Sequence, residues 1–373
     1  MVNQQKQHFV PQRYLRNFSN TGASVSKYDR KRENYVHHAS IRTEAQNPNF
    51  YGDRNVEQVI TTLEAQLFQP VDLLISDPFS ASHLEPEQRG ALLACVIFQH
   101  LRTEQSGIEA NQLNDYFAKL ELYTTLTEKN IDPESVRIGM RNPALLPMTH
   151  LSKAIEHTLD LDYFLFVNET DVDFVTSDCP VAVNNSWNMH TKFYPYYQSS
   201  EAFACHGLQL IYPLSPRLLL CFYDPQCYKF GARRSNLGWL DQRIDVERFN
   251  YLQVFKAADN LYFQSNSRIG SLLRFCLDLR RAQRPKIKFL QAENETTPGD
   301  FISMNYMPSR SLAIRVAGVR HRNLAADRAE AKQAKLESLM LKATGDKYVF
   351  RGTQSGIRNA YDMVNKIAGT EKN

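Results

Sequence analysis

Cysteine is scarce in this chain of 373 residues and nowhere clustered. The six, at Cys95, Cys179, Cys205, Cys221, Cys227 and Cys276, include no CxxC pair. A zinc site built from them is not expected, because the ligand spacing it needs is missing. In a long chain they read as reduced, mostly buried thiols. Long apolar runs are missing too. Nothing approaches 18 uninterrupted apolar residues, so no membrane span is expected. The opening MVNQQKQHF has no apolar stretch of the secretory type, which points to a cytoplasmic protein. There is no internal repeat and no long low-complexity tract, which excludes solenoid and fibrous architectures. A strong charge of one sign is also lacking: the net is +4, too little by itself to call for nucleic acid.

What is present supports a packed protein. Hydrophobic residues make up 43%, with 21 Phe and 18 Tyr, enough for a sizeable core. The charge is unevenly placed. Residues 320–373 carry eleven Lys/Arg and six Asp/Glu, leaving 33 and 34 before them. The excess belongs to a basic C-terminal segment, which reads as a docking segment for a protein partner or a second copy of the chain.

The pattern mixes helix and sheet without βαβ alternation, so the fold class is α+β. Pro11 suits the first turn of a short helix carrying Tyr14, Leu15 and Phe18. SVSKYDR and NYVHHASI read as a hairpin. Val56, Ile60, Leu63 and Leu67 repeat at helical spacing, with Pro70 ending or kinking the pattern. Further helices are expected after Pro86, through Leu113, Phe117, Leu120 and Tyr123, over residues 151–161, near residues 246–262 and near residues 269–279. YFLFVNE, DFVTSD, LQLIYPL and RLLLCFYD read as strands of one sheet, antiparallel or mixed. KIKFLQ, LAIRVAGV and KYVF are shorter strand candidates. The last residues place Ile357, Tyr361, Val364 and Ile367 at helical spacing. The expected layout is a hairpin and helical block beside the sheet over residues 1–285, then a basic strand and helix extension over 286–373.

Several stretches carry a resemblance. HFVPQRYLRNF, NFYGDRNVEQVITTLEAQL, FQHLRT, FVTSDCPV, YPLSPRLLL and Asn250 ahead of KAADNLYF occur in order across about residues 7–265. Together they resemble a bacterial family catalogued only as a domain of unknown function, number 4238. The resemblance implies an α+β domain of bacteria or their phages and no reaction. It also implies an asparagine where Cys179 stands.

The polar residues of these stretches invite chemistry. His8 precedes the short helix, whose free N–H groups would attract an anion. Gln12 is placed to orient the imidazole, and Arg13 or Arg16 to add charge, which together suit acid–base work on phosphate. The plain alternative is that His8 caps that helix or bonds a buried carbonyl. Glu57 and Glu64 lie seven residues apart, about two turns or ~10 Å on one helix side. Gln99 and Arg102 extend the apolar stripe of the next helix. A buried arginine there needs a carboxylate, so Arg102 is expected to pair with Glu64, Glu57 or Asp178. Asp178, after Ser177, sits at a strand end in a Ser-Asp-Cys-Pro turn, where it serves either the turn or a ligand.

Asp178, Glu64 and His8 would together make a hydrolytic centre suited to Mg²⁺ or Mn²⁺, with Arg102 stabilising phosphate. Such an enzyme would act on nucleic acid or a nucleotide, and a toxin or phage-defence role would fit it. The alternative is a non-enzymatic binding module whose polar groups are structural. Two aromatic stretches would then grip the partner. WNMHTKFYPYY holds Trp187, Phe193, Tyr194, Tyr196 and Tyr197. YKFGARRSNLGW holds Tyr228, Phe230, Arg233, Arg234 and Trp239. Exposed aromatics among basic residues stack bases and track phosphates, and strand-flanking aromatics fill a core instead.

Overall fold

A computed structural model describes residues 6–52, 54–140, 142–187, 203, 207–231, 235–264, 269–280 and 319–321. The chain opens with β1 (Lys6–His8), α1 (Gln12–Arg16), the hairpin β2 (Ser24–Asp29) and β3 (Asn34–Ser40), and β4 (Gln46–Pro48). A helical block follows: α2 (Arg54–Leu67), α3 (Gln69–Ser76), α4 (Pro86–Leu101), α5 (Glu104–Glu121), α6 (Tyr123–Glu128), α7 (Leu145–Thr149) and α8 (Leu151–Glu156). Then come β5 (Asp162–Asn168), β6 (Thr176–Ser177), β7 (Ala182–Asn184), β8 (Gln209–Ser215), β9 (Leu218–Tyr223), β10 (Tyr228–Phe230) and β11 (Leu237–Leu240). The last described elements are α9 (Arg243–Lys256), β12 (Asn260–Phe263), α10 (Gly270–Arg280) and β13 (Val319–His321).

The α+β reading holds. The helix breaks follow proline chemistry: α2 ends before Pro70, which opens α3, and Pro86 opens α4. Proline is tolerated in a first turn because that N–H has no intrahelical partner. The Gln88 side chain accepts the Glu85 backbone N–H at 3.0 Å, which closes the start of α4.

Five strands form a mixed sheet in the order β11-β5-β9-β8-β7, with β11 parallel to β5 and the other pairs antiparallel. Its central strands are buried on both faces. Leu165, Leu210, Leu220 and Phe222 alternate toward the helical block, while Phe164, Phe166, Leu219 and Cys221 alternate toward α9 and β10. Gly231 and Gly238 both lie against the Phe164 ring, where an added Cβ would come within 2.6 and 2.7 Å. A second sheet runs β3-β2-β12-β6, all antiparallel. A third core between it, α9 and α10 holds Tyr28, Val254, Leu261, Phe263, Leu272 and Cys276.

Three expectations need correction. DFVTSD does not join the sheet of YFLFVNE and RLLLCFYD. Its strand β6 pairs with β12 beside the N-terminal hairpin, because Tyr262 and Leu261 offer it an edge. The helix near residues 246–262 stops at Lys256, and Tyr262 lies in β12. The helix expected through Leu113, Phe117, Leu120 and Tyr123 stops at Glu121, and Tyr123 opens α6. Of the expected C-terminal extension, β13 pairs antiparallel with β10. KIKFLQ, KYVF, the last amphipathic stretch and all of LAIRVAGV but Val319 fall outside the described residues.

Candidate functional site

The polar centre is assembled from β1, α1, α2 and α4. At the end of β1, α4 clamps two successive carbonyls. Arg102 Nη2 donates to the His8 carbonyl at 2.7 Å, and Gln99 Nε2 donates to the Phe9 carbonyl at 3.1 Å. The strand stops pairing there, so its buried carbonyls need such partners. Arg102 is 1% exposed. Its Nε donates to the Tyr51 hydroxyl at 3.0 Å, and its Nη1 donates to Glu64 Oε1. The guanidinium also lies over the Phe98 ring, 5.1 Å from its centroid. Burial works against its charge, yet Tyr51 and Glu64 hold it above its ordinary value.

His8 is half-buried on the outer side of this clamp. Its Nδ1 lies 3.0 Å from the Glu44 carbonyl oxygen and its Nε2 lies 2.9 Å from Gln12 Nε2. A carbonyl can only accept, so Nδ1 carries the proton and Nε2 accepts from the Gln12 amide. Arg16 in turn donates to Gln12 Oε1 at 3.3 Å. Burial and the Arg102 charge hold the imidazole below its usual range. His8 therefore bonds a buried carbonyl, as in the plain alternative, and Gln12 orients it as expected. The helix it precedes is five residues long, too short to build an anion-binding end.

The centre gathers His8, Gln12, Gln99, Arg102 and Glu64, with exposed Arg16 at its rim. Asp178 is engaged elsewhere. Its carboxylate accepts the backbone N–H groups of Ala258, Asp259 and Asn260, each at 2.8 Å. Burial raises its carboxyl above the ordinary value, and the three amides pull it back only in part. Ser177, buried beside it, donates to Gln253 Oε1 at 3.1 Å. This corrects the metal centre of His8, Glu64 and Asp178: among the described residues no group of three His, Cys, Asp or Glu side chains is arranged to hold a metal ion. The backbone of residues 258–260 takes up the carboxylate that centre needed, and Arg102 takes up Glu64.

Arg233 and Arg234 lie outside the described residues, as do Phe193, Tyr194, Tyr196 and Tyr197. Of the remaining aromatics, Trp187, Tyr228 and Phe230 are core residues, while Trp239 is 51% exposed and packs against Phe79. The five cysteines among the described residues are buried and none is in a disulfide.

Several participants escaped the sequence reading. Gln7 accepts the Tyr51 N–H at 2.6 Å and donates to Glu57 at 3.4 Å. Tyr14 reaches the hydroxyl of Thr176 and the carbonyl of Pro213, both at 2.6 Å. The quoted stretches thus bond to one another: HFVPQRYLRNF reaches FQHLRT through His8, FVTSDCPV and YPLSPRLLL through Tyr14. The family model described as a protein of unknown function, DUF4238, matches residues 6–267. The chain belongs to that family. The matched span of this DUF4238 chain contains the whole polar centre, and the quoted stretches supply most of its residues. Nothing matches the chain among curated proteins or among solved structures.

Proposed function

We propose that this DUF4238 protein is an interaction module in which the polar groups around Arg102 serve the fold and binding is left to the surface. One observation carries the reading. Each of the three nitrogens of Arg102 already donates to a protein acceptor, and the side chain is 1% exposed, so the guanidinium is committed to the fold and presents no open face to a phosphate. The surface this reading favours is the edge strand β11, where Trp239 lies half exposed against Phe79, 6.2 Å between ring centres. Trp239 follows Arg233 and Arg234 in the chain. Aromatic rings beside basic residues suit single-stranded nucleic acid, because bases stack without regard to sequence and phosphates meet charge.

The test is titration with labelled single-stranded DNA and RNA, with and without Mg²⁺ or Mn²⁺, followed by both binding and cleavage. The expected outcome is salt-sensitive binding, weakened in Trp239→Ala, with the strands left intact. Metal-dependent cleavage lost in His8→Ala would overturn it. A second reading, acid–base chemistry without a metal, is favoured by the unprotonated Nε2 of His8, whose one partner, Gln12, is itself partly exposed. That reading requires cleavage without metal, lost in His8→Ala and kept in Trp239→Ala.

A further inference from the structure

We propose that Lys27, Glu44 and Tyr262 form a positioning device that sets the tautomer of His8. The device crosses between sheets. Lys27 on β2 donates to both carboxylate oxygens of Glu44, at 2.9 Å each. Tyr262 on β12 donates to Glu44 Oε2 at 3.2 Å, and its hydroxyl also meets the Ala45 backbone N–H. The carbonyl of the same Glu44 receives the His8 Nδ1 proton at 3.0 Å. A carboxylate fixed by the second sheet therefore aims its own backbone at an imidazole on β1, which pairs with β4 in a separate two-stranded sheet.

A second observation bears on the same peptide. Ala45 has φ +48°, a left-handed conformation that a side chain with a Cβ adopts only when its surroundings impose it. The surroundings here are the Glu44 bonds on one side and the Phe9 N–H donating to the Ala45 carbonyl at 2.9 Å on the other. Without the Lys27 and Tyr262 anchors, the peptide is free to relax. The Glu44 carbonyl then leaves the line of Nδ1, and only the partly exposed Gln12 amide at Nε2 still favours the Nδ1–H form. The other charged groups facing His8 are Glu57 and Glu64 on α2 and Arg102 on α4. None of them contacts Nδ1, so none substitutes for the Glu44 carbonyl. The inference holds whether His8 serves a reaction or only the fold, and so it does not depend on the interaction-module reading.

The test is imidazole ¹⁵N NMR on the full chain labelled at histidine, with the His8 signals assigned by their loss in His8→Gln. The native protein is expected to show the Nδ1–H form almost alone. In Lys27→Met the Nε2–H fraction is expected to rise several-fold, and Lys27→Arg to restore the native spectrum. Lys31→Met, in the turn of the same hairpin as Lys27, removes an ion pair to Asp259 and is expected to leave His8 unchanged. Tyr262→Phe, which removes one bond from Glu44, is expected to shift the fraction in the same direction and decides the matter if Lys27→Met does not fold. A native His8 in the Nε2–H form, or an unchanged tautomer in a folded Lys27→Met or Tyr262→Phe, overturns the proposal.

Discussion

The hydroxyls of Tyr14 and Thr176, 162 residues apart in the chain, lie 2.6 Å from each other in the buried seam between the N-terminal helix and the second sheet. The same Tyr14 hydroxyl donates to the Pro213 carbonyl, so one side chain joins the first helix to both sheets. Its ring stacks on Tyr212 at 4.9 Å. The Tyr212 hydroxyl is buried with no hydrogen-bond partner among the described residues.

These two tyrosines should therefore respond in opposite senses to the same edit. Tyr14→Phe strands a buried carbonyl and a buried hydroxyl, and it is expected to cost about 1–3 kcal/mol. Tyr212→Phe removes a polar group that gains nothing from burial, and it is expected to be neutral or stabilising by up to about 1 kcal/mol. Urea midpoints at unchanged slope decide between the two. Equal losses in both variants would show that the seam is ordinary packing.

Asp178 is expected to behave as a structural anchor. Asp178→Asn turns an amide group toward backbone N–H donors and leaves at least one of them unpaired in a buried site. A loss of about 2–3 kcal/mol follows, from a charge-assisted bond given up and a donor stranded. The same substitution should leave nucleic-acid binding of the folded fraction intact. A stable Asp178→Asn protein that binds less tightly would return Asp178 to a ligand site.

Acid should weaken the fold through two histidines. Burial, with help from the Lys256 charge, pushes His100 down to about 4, and burial holds His8 below its ordinary 6.5. Both are neutral in the fold and take a proton more readily when it opens. Their stabilising contribution is complete above pH 6.5 and is lost as pH falls from there toward 4. Asp178 works in the opposite sense, since its carboxyl is raised. The informative quantity is thus the difference between the native protein and His100→Gln, measured by urea melts at pH 7.5 and 5. The variant is expected to lose less on acidification, and an equal loss would place His100 outside the linkage.

The elements were legible where one periodicity dominated. Ile60, with Val56, Leu63 and Leu67 beside it, made α2 readable, and the buried runs of β5, β8 and β9 announced strands. Sheet membership was not legible. Nothing in DFVTSD says that β6 prefers the edge of β12 to the edge of β5, because pairing is decided by which edge the whole fold leaves open. At the polar centre, the buried arginine in an apolar stripe announced its own need for a carboxylate, and Glu64 supplies it. The need for an acceptor at Asp178 came from three backbone N–H groups some eighty residues on, which no side-chain pattern records. Gln7 was silent for the same reason, since its main partner is the backbone N–H of Tyr51.

The account rests on Arg102 holding the fold, and a double-mutant cycle tests that most directly. Urea unfolding would be measured for the native protein, Arg102→Met, Glu64→Gln and the pair. Arg102→Met is expected to cost about 3 kcal/mol, because it strips Glu64 and the Tyr51 hydroxyl of their buried donor and leaves the His8 carbonyl only its longer bond from Tyr51. The double variant is expected to lose at least about 1 kcal/mol less than the sum of the single losses. An Arg102→Met protein that unfolds at the native urea midpoint would contradict the account.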